Sequence, residues 1–167
     1  STATGAGVFN AGMRGQKGTP YLGGTRAASF WRWPGTLSPG DVSALTAHVD
    51  VLPTLAEISG ARIPSDVAAK LDGRSLVPLL QETNAAWPDR FLITHVGRWA
   101  AGEVAAGKNR NCSVRSPQYH LVNAGQGGKR WQLFDVRADS GEKTDLAAQH
   151  PEVVREMDEV FERWWLD

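Results

Sequence analysis

Cysteine is nearly missing from this chain. A single Cys112 among 167 residues excludes an internal disulfide and says little about redox compartment. No run of about 18 apolar residues occurs, so no membrane-spanning helix is expected. Excess charge of one sign is absent as well: 18 Lys and Arg balance 18 Asp and Glu. With no bulk field, nothing recruits nucleic acid or an anionic membrane, and any anion site must be local. Residues 1–7 (Ser-Thr-Ala-Thr-Gly-Ala-Gly) show neither a charged n-region nor an apolar h-region, so no signal peptide is expected there. The missing initiator Met fits a chain cut from something longer. Internal repeats and low-complexity stretches are also lacking.

What is present describes an ordinary globular protein, 41% hydrophobic and 22% charged. The length allows one sizeable core, or one moderate core with a small satellite. Seven Trp is a high number and points to core, or to a face meant for another domain. Residues 1–26 are rich in glycine and small residues, show no lasting periodicity and read as loop. Ala27 to Trp33 is an apolar run closed by Pro34-Gly35, which predicts a strand covered on both faces. Asp50 to Gly60 predicts a helix capped by Asp50, with Pro53 in its first turn and Gly60 at its end. Leu52, Leu55, Ala56 and Ser59 share one face of it.

Ser75 to Leu80 suggests a short helix, and Arg90 to Val96 a second strong strand. Residues 97–111 read as loop. Cys112–Arg115, Gln118–Asn123 and Arg130–Val136 then alternate as three strands of an antiparallel meander, joined by Ser116-Pro117 and Gly125 to Gly128. Pro151 opens a closing helix whose apolar stripe is Val153, Met157, Val160, Phe161 and Trp164; the carboxylates from Glu152 to Glu162 form a solvated face. The order of elements is α/β with an α+β tail.

The chemistry-bearing candidates are few. Lys17 lies among Gly15, Gly18, Gly23 and Gly24, where backbone can approach a small anion and N–H groups can help bind it. Its ammonium could neutralise charge on a leaving oxygen. The same pattern also suits a solvated Lys in a mobile loop. His95 ends an apolar strand, where it could bind substrate or donate a proton, or serve as a hydrogen-bonded structural His. Arg26 suggests a structural pair with a core carboxylate, His120 an exposed meander position. No two His share metal-ligand spacing with Cys, Asp or Glu, so no zinc site is expected. Trp87, Trp99, Trp131, Trp164 and Trp165 could stack on sugars, with packing the plainer role.

Several segments in order carry a resemblance. Asn10 to Gly18 (Asn-Ala-Gly-Met-Arg-Gly-Gln-Lys-Gly), Gly23-Gly24-Thr25-Arg26 and Trp31 to Gly35 are followed by His48 to Leu55 (His-Val-Asp-Val-Leu-Pro-Thr-Leu). Asp72 to Leu80, Leu133 to Val136, Asp139 to Glu142 and Thr144 to Ala147 complete the set. Together they resemble the C-terminal part of the arylsulfatases of the sulfatase family. The resemblance implies an alkaline-phosphatase-like α/β fold: residues 1–97 as the end of its α/β domain including the Lys17 loop, and residues 98–167 as an antiparallel sheet plus helix subdomain.

It implies hydrolysis of aryl or carbohydrate sulfate esters, with Lys17 as the sulfate-contacting Lys and His95 as a further substrate-side candidate. The nucleophile would be a formylglycine made from the Cys of a Cys-x-Pro/Ala-x-Arg motif, and the metal a calcium ion. Both are implied for an upstream N-terminal domain, the chain's expected partner, so this chain alone is expected to be inactive. No cofactor is expected within the chain itself, and the parent would be periplasmic or secreted. Cys112 does not fit the motif, since Val114 and Ser116 occupy the required Pro/Ala and Arg positions. Leu22 stands where the family commonly has Glu, which puts the geometry of the loop in question. Two alternatives remain: a phosphodiester or phosphonate hydrolase of the same superfamily, and a non-catalytic glycan-binding module.

Overall fold

The computed structural model describes residues 9–125 and 127–167. Residues 1–8 and Gln126 lie outside them. In chain order the helices are α1 (Leu22–Thr25), α2 (Val51–Ser59), α3 (Ser65–Ala68), α4 (Val77–Gln81), α5 (Val104–Gly107) and α6 (Pro151–Leu166). The strands are β1 (Leu92–His95), β2 (Cys112–Arg115), β3 (Tyr119–Asn123) and β4 (Gln132–Asp135). None of these helices is long and apolar enough to cross a membrane. Two compact units form, one from residues 28–90 and one from 91–167 together with 9–27.

In the larger unit the four strands make one antiparallel sheet in the order β1-β2-β3-β4. The meander expected over 112–136 is present, and the apolar run of 90–96 joins it as the first strand. Side chains alternate across the sheet, so each strand serves two faces. On one face Cys112, Val114, Leu121 and Leu133 pack with Met157 and Phe161 of α6. On the other, Val122, Phe134 and Val136 pack with Tyr21 and Leu22. The meander is thus covered by the C-terminal helix on one side and by the segment carrying Lys17 on the other.

Helix α6 begins at Pro151 as its sequence predicts, because proline's fixed φ and missing N–H suit a first helical position. Its polar face is less free than expected. Lys129 pairs with both Asp158 and Glu162, Lys108 pairs with Glu162, and the Trp131 indole N–H donates to Asp158 at 2.9 Å. These contacts tie the helix to the loops around β1 and β4.

The unit 28–90 is organised by a buried ion pair. Asp50 is wholly buried and pairs with Arg90, and it also accepts from Ala47 N–H at 2.7 Å and Arg74 N–H at 2.9 Å. Burial raises its pKa, but Arg90 and the two N–H groups outweigh that, and it falls below the ordinary 3.8. The expected role of Asp50 as a side-chain cap of α2 is therefore corrected: its oxygens are engaged elsewhere. Gly60 does end α2, in the left-handed conformation at φ 67° that glycine adopts without a Cβ clash.

One further expectation is overturned. Ala27 to Trp33 is not a strand, and Phe30 is 93% exposed. A strand needs a neighbouring edge for its N–H and C=O groups, and among the described residues this segment has none. Leu52 and Leu55, on the shared face of α2, are about half exposed.

Candidate functional site: the Lys17 loop

Lys17 lies in a turn closed on itself. Thr19 N–H donates to Gln16 C=O at 2.9 Å, Thr19 Oγ1 donates to the same carbonyl at 2.8 Å, and Gln16 N–H donates to Thr19 Oγ1 at 3.0 Å. The chain then turns into α1, whose Gly23 N–H returns to Arg14 C=O at 2.7 Å. Two of the glycines exist for this contact. A Cβ on Gly23 would stand 2.4 Å from Gly15 O, and one on Gly24 2.2 Å from Thr19 O. Their N–H groups are bonded within the loop, so the anion cradle expected of them is not formed by Gly23 and Gly24. Gly18, at φ +86° with open space around it, is the glycine next to the ammonium. Lys17 itself is exposed, with no ion pair among the described residues.

The loop is anchored from below. Leu22 and Tyr21 are buried against Val122, Phe134 and Val136, and burying a Leu side chain contributes about 2 kcal/mol. Leu22 N–H donates to Glu142 Oε2 at 2.8 Å, and Tyr21 OH donates to Gln132 Oε1 at 2.8 Å. The Arg14 guanidinium lies 4.0 Å from the centre of the Tyr21 ring and donates to Glu142 C=O at 3.0 Å. Burial raises the Tyr21 pKa despite Arg14. Leu22 fills an apolar pocket, and the carboxylate at its N–H comes from Glu142.

His120 was expected to be exposed and is 1% exposed, with Nδ1 2.6 Å from Glu142 Oε1. The correction follows from β3 being covered on both faces. Burial depresses the His120 pKa, an effect that Glu142 opposes without overcoming it. The neutral ring therefore donates Nδ1–H to the carboxylate.

His95 is elsewhere. Its register partner is Cys112, on the face under α6, and its ring lies 5.3 Å from Trp165 and 5.6 Å from Trp99. Its Nδ1 accepts from Gly97 N–H at 2.9 Å, so the proton sits on Nε2, which faces Gly107 C=O at 3.0 Å and Lys108 C=O at 3.1 Å. Both nitrogens shape the 97–108 loop. The sheet lies between His95 and the Lys17 loop, and the two are not brought together. Arg26 is exposed, and its expected core carboxylate is absent among the described residues.

Cys112 is fully buried among apolar side chains, and burial pushes its thiol up to about 12, with Asp158 adding to the effect. That is an inert core thiol. Among the described residues no three His, Cys, Asp or Glu side chains converge on a point that could hold a metal. The buried carboxylates Asp50 and Glu142 are engaged by Arg90 and by His120 and Leu22.

Residues 20–164 match the family described as N-sulphoglucosamine sulphohydrolase, C-terminal. The chain belongs to that family. Arylsulfatase A from Bos taurus is 31% identical over 157 residues, covering 86% of this chain and 30% of the relative. Among solved structures, a Bacteroides thetaiotaomicron protein from a locus for the metabolism of multiple glycosaminoglycans superposes with a TM-score of 0.72 at 24% identity, covering 93% of this chain and 32% of that one. Ps i-CgsB, solved in complex with k-i-k-neocarrahexaose, gives 0.73 at 22%, covering 95% and 33%. The two superpositions establish the α/β fold of a sulfatase C-terminal part. The chain spans about a third of the length of these relatives. Within the sulfatase chain, sequence reasoning had singled out Lys17 but not Glu142, Arg14 or His120. The only signal for Glu142 was its place in the Asp139-Ser140-Gly141-Glu142 segment.

Proposed function

We propose that this sulfatase C-terminal chain supplies Lys17 to the sulfate-binding end of an arylsulfatase-type active site. The reaction is hydrolysis of an aryl or carbohydrate sulfate ester, RO–SO3⁻ plus water giving ROH plus hydrogen sulfate. The observation that carries the reading is an exposed ammonium without an ion pair among the described residues, on a turn whose backbone is bonded on both sides. Such a group meets anionic oxygens without first giving up another partner, and its loop need not reorganise. In the reaction it would hold a sulfate oxygen and offset charge gathering on the departing ester oxygen.

The nucleophile and the calcium ion belong, in this reading, to an upstream N-terminal domain, because the described residues fit neither. One Lys cannot lower a sulfate ester barrier by itself, so the chain alone should not turn over. Relatives named for aryl sulfates and for glycosaminoglycan metabolism support keeping both substrate classes.

In the full-length protein, Lys17→Ala is expected to lower kcat/KM for 4-nitrophenyl sulfate by roughly 10²–10³-fold, the usual loss for one preorganised charge-stabilising group. Steady-state kinetics checks this. Unchanged turnover would remove Lys17 from the sulfate site.

A further inference from the structure

We propose that Glu142 is a positioning residue for Lys17: its buried carboxylate holds the Lys17 loop in place against the sheet. The inference rests on the sulfate-contact reading of Lys17.

Three bonds form a closed circuit. Glu142 Oε2 accepts from Leu22 N–H at 2.8 Å; the next residue, Gly23, donates to Arg14 C=O at 2.7 Å; and the Arg14 side chain returns to Glu142 C=O at 3.0 Å. The turn bearing Lys17 is strung between the Arg14 and Leu22 corners of that circuit. No slack remains on the α1 side, because Gly23 and Gly24 touch the loop backbone with no room for a Cβ. A carboxylate is an acceptor on both oxygens, and both are supplied here: His120 Nδ1 takes Oε1 at 2.6 Å and orients the group, leaving Oε2 for Leu22.

The backbone of Glu142 shows that the position is demanding. Its φ is +50°, a left-handed conformation uncommon outside glycine and unfavourable for a residue with a Cβ. A turn needing only that conformation would be better served by Gly or Asn. A fully buried Glu is explained by what its carboxylate holds. Asp139 supports the turn from outside, its Oδ2 accepting from Lys143 N–H at 2.7 Å and Thr144 N–H at 2.9 Å. Glu142 touches no substrate and would act only through the place it gives Lys17.

The test is a double-mutant cycle in the full-length protein, read on two quantities that do not depend on how much enzyme is folded. These are KM for 4-nitrophenyl sulfate and the inhibition constant of inorganic sulfate. Glu142→Gln keeps the shape but offers Leu22 a neutral, weaker acceptor. It is expected to raise both constants roughly five- to tenfold. In the Lys17→Ala background the same change should move either by less than about twofold. Glu142→Ala should follow the same pattern with a larger shift; should it fail to fold, Glu142→Gln decides alone. Equal shifts in both backgrounds, unchanged constants, or a fall in Vmax alone would overturn the assignment. If Lys17→Ala alone leaves both constants unchanged, the sulfate-contact reading fails first. If Lys17→Ala weakens both and Glu142→Gln is simply additive with it, only the role of Glu142 is lost.

Discussion

Residues 91–167, together with 9–27, are held by apolar packing. Val114, Leu121, Leu133, Phe134, Met157 and Phe161 are all at most 1% exposed, on the two faces of one sheet. Residues 28–90 are held differently. There the most deeply buried groups include Asp50 and Thr54, joined to Arg90, Arg74 and Leu76 by directional bonds, with Leu79 as the deepest apolar residue. Val51, Leu52, Leu55, Phe30 and Trp33 of the same unit stay exposed. The contrast teaches that one sulfatase chain can rest mainly on area in one unit, where Glu142 and His120 are the buried polar exception, and on ionised hydrogen bonds in the other. Area responds to lost volume, whereas a polar node responds to a lost partner or a gained proton.

The sharpest way to break this comparison is Phe161→Ala. Phe161 is fully buried, edge-on to Trp131 at 5.5 Å, and shares the core with Met157. Truncation should cost about 3–5 kcal/mol. Amide exchange followed by mass spectrometry should speed up in β2, β3 and β4 while leaving α2 unchanged. Equal acceleration in both units would mean that they unfold as one.

Arg90→Ala probes the other side. It strands Asp50, wholly buried, without its counter-charge, and should cost about 3 kcal/mol. The same exchange measurement should now report α2 and the 71–80 segment, not the sheet. If the loss is under about 1 kcal/mol, the pair behaves as a surface bridge and the polar-node description fails.

The smallest effect is in pH, and its order separates the units. His120 has its folded pKa depressed below 6.5, chiefly by burial. The unfolded chain therefore takes up a proton first, and stability in the sheet unit should decline as pH falls from about 6.5 toward the folded value. Asp50 has its folded pKa below 3.8, so its contribution is present above 3.8 and is lost only as pH falls through that lower value. One proton gives a slope of at most about 1.4 kcal/mol per pH unit. Urea midpoints from pH 8 to 4 should show the first decline, and His120→Gln should flatten it. A decline that persists in that variant belongs to another group.

How much of this was legible depended on the range of the chemistry. β2 begins and ends at Cys112 and Arg115, where alternation and the turns around it put it. Pro151 and Gly60 mark helix ends because proline lacks an N–H and glycine lacks a Cβ, which are properties of single residues. Lys17 was legible as a candidate because its neighbours are glycines. Ala27 to Trp33 carried the composition of a strand, but a strand is a relation to an edge, and composition does not provide one. His120 had the alternation of an outward position, and only the second layer over β3 made it inward.

The sequence by itself determined the local pieces: which runs alternate, where helices start and stop, and which Lys sits in a flexible-looking turn. Tertiary structure alone decided that His95 and the Lys17 loop lie on opposite sides of the sheet, because strand register assigns each side chain its face. It also decided that Glu142 and Leu22, 120 residues apart, share a hydrogen bond. Such a bond exists only once the fold has brought the Glu142 carboxylate to the Leu22 backbone N–H, and no property of either residue alone announces it.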